Sequence, residues 1–378
     1  MKRLASLGRL TGFDCCLLVK TLTTMPTHFR TRRALITAAV SSVAAPFVWT
    51  GPRVFGAEQI TAADVGGAPG DAIRKAFYEP FEKESGIKVV GVAHDSDPTT
   101  QFKLAVDARS YIWDVCSVTP GQLVYLSQPK SYVEKLDMRA EEFPGLLPGM
   151  VMPGWIGFSV WSNNLAFRTD KFPNGMGPAN WKDYWNVDKF PGRRGLYKNG
   201  NGTLEAALMA DGVPASKLYP LDVDRAFRML DKIKPHVNVW WTTGAQNTQI
   251  LQSGEVAMSD TWGARAYAAI QSGSPIRLVW SEGLYSMDGW SIPAGSPRAD
   301  LSRKFIRFCM RPEQQAIFSN QIVNAPTNRK AYDFISTERA RLLATSPDNI
   351  RGLVPSDQIW WANNRDRVQE RLQDWLLG

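Results

Sequence analysis

From residue 59 onward the chain alternates in a way that few folds accept. Residues 59–63 read as a short first strand. Asp64-Val65-Gly66-Gly67-Ala68-Pro69-Gly70 makes a turn, and residues 71–85 carry a helical pattern with Ile73, Phe77 and Phe81 on one face. Gly86 stands where a C-cap glycine belongs, and residues 87–90 begin the next strand. A helical stretch at 99–108, a strand at 112–118 and a helix opening at 122 repeat the cycle. The order β-α-β-α-β-α predicts an α/β fold with a parallel sheet and right-handed crossovers. The Gly66-Gly67-x-x-Gly70 turn lies where phosphate can bind, yet it has neither dinucleotide spacing nor a following Lys-Ser or Lys-Thr.

With 378 residues the chain exceeds what one core usually organises, so two lobes are expected. Proline and glycine thicken from 143 to 154, and the long extended run at 155–164 is suited to carry the chain from one lobe to the other. Asn199-Gly200-Asn201-Gly202-Thr203 then leads into a helix at 204–210. Asn and Thr are favoured N-caps, which explains them locally, while the same geometry leaves backbone N–H groups facing whatever lies ahead of the helix. Helices are further expected at 222–233, 245–253, 300–310, 312–320 and 360–377, with Trp360 and Trp361 packing the last one down.

Residues 253–295 read as strand, loop, helix, strand, loop, strand. Asp260, Trp262, Arg265, Tyr285, Asp288 and Trp290 gather where the apolar runs stop, the place where open α/β sheets bind ligands. Several of the 14 tryptophans neighbour a carboxylate, as in Trp113-Asp114, Asp260-Thr261-Trp262 and Asp288-Gly289-Trp290. A carboxylate beside an aromatic face suits an organic cation. Packing alone is the alternative, because tryptophans at sheet edges and solvated acids are common.

The net charge of +8 would suggest nucleic acid, but its location argues otherwise. Residues 1–57 hold Lys2, Arg3, Arg9, Lys20, Arg30, Arg32, Arg33 and Arg53 against Asp14, which leaves 36 basic and 35 acidic side chains elsewhere. No nucleic-acid partner is expected. Thr31-Arg32-Arg33-Ala34-Leu35-Ile36, the apolar run to Trp49 and the small residues Gly56-Ala57 describe a signal peptide over 1–57. The paired arginines favour twin-arginine export, with the general secretory route as the alternative, and Met25 is a plausible true start. Cys15 and Cys16 lack a lipobox, while Cys116 and Cys309 read as buried thiols.

Catalytic signatures are missing. Beyond the leader only His94 and His236 remain, in unrelated contexts, and no CxxC, HExxH, Gly-x-Ser-x-Gly or GKS/T appears. Binding is therefore expected rather than catalysis, with no cofactor and no metal. An unpaired-carboxylate enzyme is the less favoured alternative.

The order of features resembles the periplasmic solute-binding proteins of ABC importers, in particular the spermidine/putrescine branch, over about 59–377. The resemblance is carried by Phe81-Glu82-Lys83-Glu84-Ser85-Gly86-Ile87-Lys88-Val89-Val90, Trp113-Asp114-Val115, Phe190-Pro191-Gly192-Arg193, Glu205-Ala206-Ala207-Leu208 with Asp211-Gly212, and Gly254-Glu255-Val256. Trp262, Met287-Asp288, Ile292-Pro293 and Ala325-Pro326-Thr327-Asn328 continue it. It implies a two-lobed periplasmic-binding-protein fold of type II, each lobe a mixed sheet flanked by helices, joined by crossing hinge strands. Lobe 1 would comprise 58–160 with 288–335, and lobe 2 161–287 with 336–378. The partners implied are a small organic solute, inner-membrane ABC permease subunits and the export machinery, with a soluble periplasmic monomer expected.

The same resemblance implies that Asp288 supplies a carboxylate to a ligand amine and that Trp262 packs on its methylene chain. Asp260, Asn199, Asn201 and Thr119 would orient polar groups. The polyamine pattern breaks where aromatic and acidic residues after the first strand become Gly66, Gly67, Ala68 and Pro69. It breaks again at Ser286, at Asn324, and at Asn199 and Gly202. The solute implied is a polyamine-like or other amine-bearing molecule. The alternative is an anionic or zwitterionic one, such as an opine, an amino-acid derivative or a phosphonate, with Arg265 and helix N-termini holding an anion.

Overall fold

The computed structural model describes residues 58–94 and 97–378. The predicted leader, with Met25, Arg32 and Arg33, lies outside the described residues. β1 (Gln59–Asp64) leads through α1 (Gly67–Ile73), a π-helical turn (Arg74–Tyr78) and α2 (Glu79–Ser85) into β2 (Lys88–Ala93). α2 stops at Gly86, whose φ of 73° is the left-handed conformation glycine adopts without strain. α3 (Thr99–Asp107), β3 (Val115–Val118) and α4 (Pro120–Leu126) follow. α4 opens on a capping box: Thr119 Oγ1 accepts from the Gln122 N–H at 3.3 Å, and Gln122 Oε1 accepts from the Thr119 N–H at 2.9 Å.

β4 (Val151–Met152) and the long β5 (Trp155–Arg168) carry the chain onward. Then come α5 (Trp181–Trp185), β6 (Arg194–Tyr197), α6 (Gly200–Ala210), α7 (Val223–Ile233), β7 (Val237–Trp241), α8 (Gly244–Ser253), β8 (Met258–Trp262) and α9 (Gly263–Gln271). β9 (Ile276–Ser291) returns alongside β5. α10 (Ala299–Cys309), α11 (Pro312–Gln321), β10 (Ala325–Pro326), α12 (Thr337–Ala340), β11 (Val354–Pro355) and α13 (Gln358–Leu377) close the chain.

One mixed sheet runs β2-β1-β3-β9-β5-β8-β6-β7. β1 pairs in parallel with β2 and β3, as the alternation requires, and β6 pairs in parallel with β7 and β8. The centre is antiparallel, where β9 joins β3 and β5, and β5 joins β8. Two readings of the sequence are corrected here. The separate strands expected near 275–280 and 289–293 are one strand, so Tyr285 and Asp288 sit on β9 and not in a loop. Its partner β5 lies more than a hundred residues away, and the register break between Asn163 and Leu165, near Glu282 at φ 60°, absorbs the irregularity. The third strand also begins three residues later than expected, at Val115, because the Asp114 carboxylate accepts the Thr61 N–H at 2.7 Å.

Two large apolar clusters hold the sheet. Ile60, Phe77, Val115, Phe158, Trp290 and Phe305 belong to one. Leu165, Leu196, Leu208, Phe227, Trp361 and Leu372 belong to the other. β5 supplies Phe158 to the first and Leu165 to the second, and β9 supplies Trp290 and Leu284 likewise. Each such side chain contributes roughly 1.5–3 kcal/mol on burial, so both strands are anchored at each end. Phe158 stacks on Trp290 with centroids 4.7 Å apart. Cys116 and Cys309 are buried free thiols, as the sequence suggested. Among the described residues no helix is long and apolar enough to cross a membrane, and no group of His, Cys, Asp and Glu could hold a metal ion.

Candidate functional site

Residues directly opposite in an antiparallel ladder share a face, as do residues two apart. On β5, Ser159 lies opposite Asp288, Trp161 opposite Ser286, and Asn163 opposite both Leu284 of β9 and Trp262 of β8. Asp260 follows on the same side, opposite Leu165. Val118 pairs with Gly289, which brings Thr119 level with Asp288 at the mouth of α4. Asn324 Nδ2 reaches Ser159 Oγ at 3.4 Å. One face of the sheet centre thus unites Thr119, Ser159, Trp161, Asn163, Asp260, Trp262, Ser286 and Asp288.

At one end is Asp288. It keeps part of its surface open to solvent. Burial pushes its carboxyl up to about 7, and a hydrogen bond from Trp161 pulls the other way. A cation placed against it would replace the water it has lost. Ser286 Oγ, opposite Trp161, is buried and has no protein partner.

At the other end is an aromatic corner. Trp262 meets Trp241 edge-on at 5.5 Å and Tyr197 at 5.7 Å, while Tyr197 stacks on Trp241 at 4.2 Å. Asp260 lies beneath it, 1% exposed. Its Oδ1 accepts from Trp241 Nε1 at 2.7 Å and its Oδ2 from Asn163 Nδ2 at 3.4 Å. Burial lifts its carboxyl to about 7 against the pull of those bonds. Asp260 therefore braces the corner from below, and Asn163 Oδ1 is left buried without a protein partner.

The loop ahead of α6 completes this end. Asn199 caps the helix by accepting the Asn201 N–H at 3.0 Å, so its carbonyl oxygen is already engaged. Asn201 has non-helical ψ of 119° and Gly202 a φ of 99°. Arg265, on the first turn of α9, is half-buried and makes no ion pair or hydrogen bond among the described residues. Its guanidinium and the Trp262 ring crowd together over Gly244, where a Cβ would fall 2.7 Å from Arg265 Nε and 2.9 Å from Trp262 Cζ3.

Sequence reasoning named Trp262, Asp288, Ser286 and Asn324, but it passed over Ser159, Trp161 and Asn163. A signal existed: a central strand buried on both faces should read as continuously apolar, and residues 159–164 do not. The glycine turn after β1 holds its own carboxylate. Asp64 Oδ1 accepts the Gly66 N–H at 2.7 Å and Oδ2 accepts Tyr78 OH at 2.6 Å, which closes that place to phosphate.

Among the described residues burial raises three carboxyls, Asp260, Asp288 and Glu205, and the first two, which reach about 7, act in the neutral range of the unliganded protein. Asp260 and Asp288 both titrate near 7 when folded and near 3.8 when free. Their folded forms hold protons that the unfolded chain releases. Stability from them is complete below about pH 4 and is lost as pH rises through 7. The lowered carboxyls, such as Asp170 beside Arg168 and Asp224 beside Arg371, act only below that window. Melting temperature is expected to fall between pH 5 and 8, and Asp288→Asn should flatten the slope. A wild-type melting temperature that rises over that range would contradict the assignment.

A family model described as bacterial extracellular solute-binding protein matches residues 76–345. The γ-aminobutyric acid-binding protein of Pseudomonas aeruginosa is 33% identical over 324 residues, covering 84% of this chain and 91% of the relative. The spermidine/putrescine-binding periplasmic protein of Escherichia coli is 24% identical over 283 residues, covering 72% and 79%. Among solved structures, an ABC transporter substrate-binding protein from Bradyrhizobium japonicum superposes with a TM-score of 0.78 at 34% identity, covering 84% of this chain and 99% of that one.

Proposed function

The chain belongs to the bacterial extracellular solute-binding proteins, and from that premise we propose that its sheet face captures a short zwitterion, an ω-amino acid such as γ-aminobutyric acid. The protein is the substrate-binding component of an ABC transporter. In the proposed reading it works in the periplasm as a monomer and hands its solute to permease subunits. The clusters flanking β5 and β9 support a division into lobes at 58–160 with 288–335 and 161–287 with 336–378, hinged on those strands.

One observation carries the choice of solute: the Asp288 carboxyl stands at one end of the face, and Arg265, with no ion pair among the described residues, lies beside Trp262 at the other. Asp288 and Trp262 align with β5 residues four apart, roughly 13 Å along the strand. Side chains reaching in from both ends leave room for a few methylenes. Asp288 takes the ammonium, with Trp161, Ser159, Thr119, Ser286 and Asn324 around it. Trp262 covers the methylenes. Arg265 takes the carboxylate, with Asn201 and Asn199 beside it and Asp260 bracing the corner. A diamine would leave Arg265 facing a second ammonium, which disfavours polyamines, as do the departures at Ser286 and Asn324.

Titration calorimetry of the mature protein tests this. γ-Aminobutyric acid should bind more tightly than putrescine. Arg265→Ala should weaken it roughly 10- to 150-fold, the range for losing a hydrogen bond to a charged group, and leave putrescine unaffected or improved. Tighter putrescine binding by the wild type would overturn the reading.

A further inference from the structure

We infer that Glu205 is a positioning residue that fixes the loop Asn199, Gly200, Asn201 and Gly202 against the binding face. Glu205 lies on α6 and is fully buried, yet it makes no ion pair among the described residues. Three donors converge on its carboxylate. Oε2 accepts the Gly202 N–H at 2.9 Å, while Oε1 accepts Trp361 Nε1 at 2.6 Å and Tyr219 OH at 2.5 Å. Burial raises its carboxyl, and the three hydrogen bonds, which favour the ionised form, pull the other way.

What they hold is the loop. Gly202 is in a conformation reserved for glycine, and a Cβ there would fall 2.7 Å from Asn163 Nδ2, so its backbone rests on the face residue that leads to Asp260. From behind, α13 presses on Gly200. A Cβ there would meet Val368 at 2.7 Å and Trp361 at 3.2 Å, and Gln369 Oε1 accepts the Gly200 N–H at 3.1 Å. Glu205 bonds to both sides, to the loop through Gly202 and to α13 through Trp361, and so acts beside the direct Gln369 bond to Gly200. Removing its oxygens frees the non-helical turn while leaving the apolar packing of α6 and α13 in place.

The effect on ligand rests on the ω-amino acid reading above; the effect on the loop does not. The test therefore uses two readouts on wild type, Glu205→Met, Glu205→Gln and Tyr219→Phe. Met matches the length and volume but accepts nothing. Gln retains one acceptor and should rescue in part. Tyr219→Phe removes one donor and leaves the Gly202 bond intact. Calorimetry with γ-aminobutyric acid should give a dissociation constant at least tenfold weaker for Glu205→Met, intermediate for Glu205→Gln, and within twofold of wild type for Tyr219→Phe. Amide exchange over 200–203 should quicken in Glu205→Met and not in Tyr219→Phe. Wild-type affinity and exchange in both Glu205 variants, or losses that merely follow melting temperature across all three, would overturn the inference. Should the wild type bind neither γ-aminobutyric acid nor putrescine, the solute reading falls, and exchange over 200–203 alone decides the role of Glu205.

Discussion

Asp288→Ala should raise the dissociation constant for γ-aminobutyric acid by roughly 30-fold to several thousand-fold, about 2–5 kcal/mol, the range for truncating one member of a buried charge pair. The carboxyl has a hydrogen bond from Trp161 and no ion pair among the described residues, and burial raises it to about 7. An ammonium seated against it restores the ionised form. Wild-type affinity should therefore rise with pH up to about 7 and level off above, where the carboxylate is already charged and the amine still protonated. Asp288→Asn should retain the shape and lose this pH dependence. Calorimetry from pH 5.5 to 8.5 measures both. Unchanged affinity for both γ-aminobutyric acid and putrescine in Asp288→Ala would remove the residue from the site.

Trp155→Ala is expected to be the most damaging change to the fold, at about 3–5 kcal/mol in urea denaturation. The ring is fully buried, and its Nε1 donates to the Val118 carbonyl at 2.8 Å. It lies flat on the backbone of Gly157 and Gly289, where a Cβ at Gly157 would come within 2.7 Å of it and one at Gly289 closer still. It thus ties β3, β5 and β9 together directly behind Asp288. Loss of stability below 1 kcal/mol would show that the neighbouring side chains close the cavity.

The outer parts of the fold were legible and the centre was not. Alternation gave the parallel strands β1, β2 and β3, and Gly86 marked the end of α2, because both depend on residues close in sequence. The continuity of β9 depends on β5, and no local pattern in residues 276–291 announces a strand that changes core halfway along. The site divides in the same way. Trp262 and Asp288 stood out by their company, whereas Asn163 and Trp161 became site residues only once β5 lay between β8 and β9. Asp260 was expected to orient the solute and instead supports Trp241, since its burial is a property of the assembled sheet. Arg265 was considered only for an anionic solute. In the proposed reading, its proximity to Trp262 over Gly244 supplies the second pole of a zwitterion.

The pairing of β5 with β9 also governs the order in which the molecule can be made. β3 gains its outer neighbour only from Gly289, Trp290 and Ser291, after everything between β5 and β9 has been synthesised. Until then the growing chain holds a short parallel sheet whose β3 edge is bare. The central contacts, distant in sequence, have a high loop-closure entropy to overcome. The proposed solute face is therefore completed only late in synthesis.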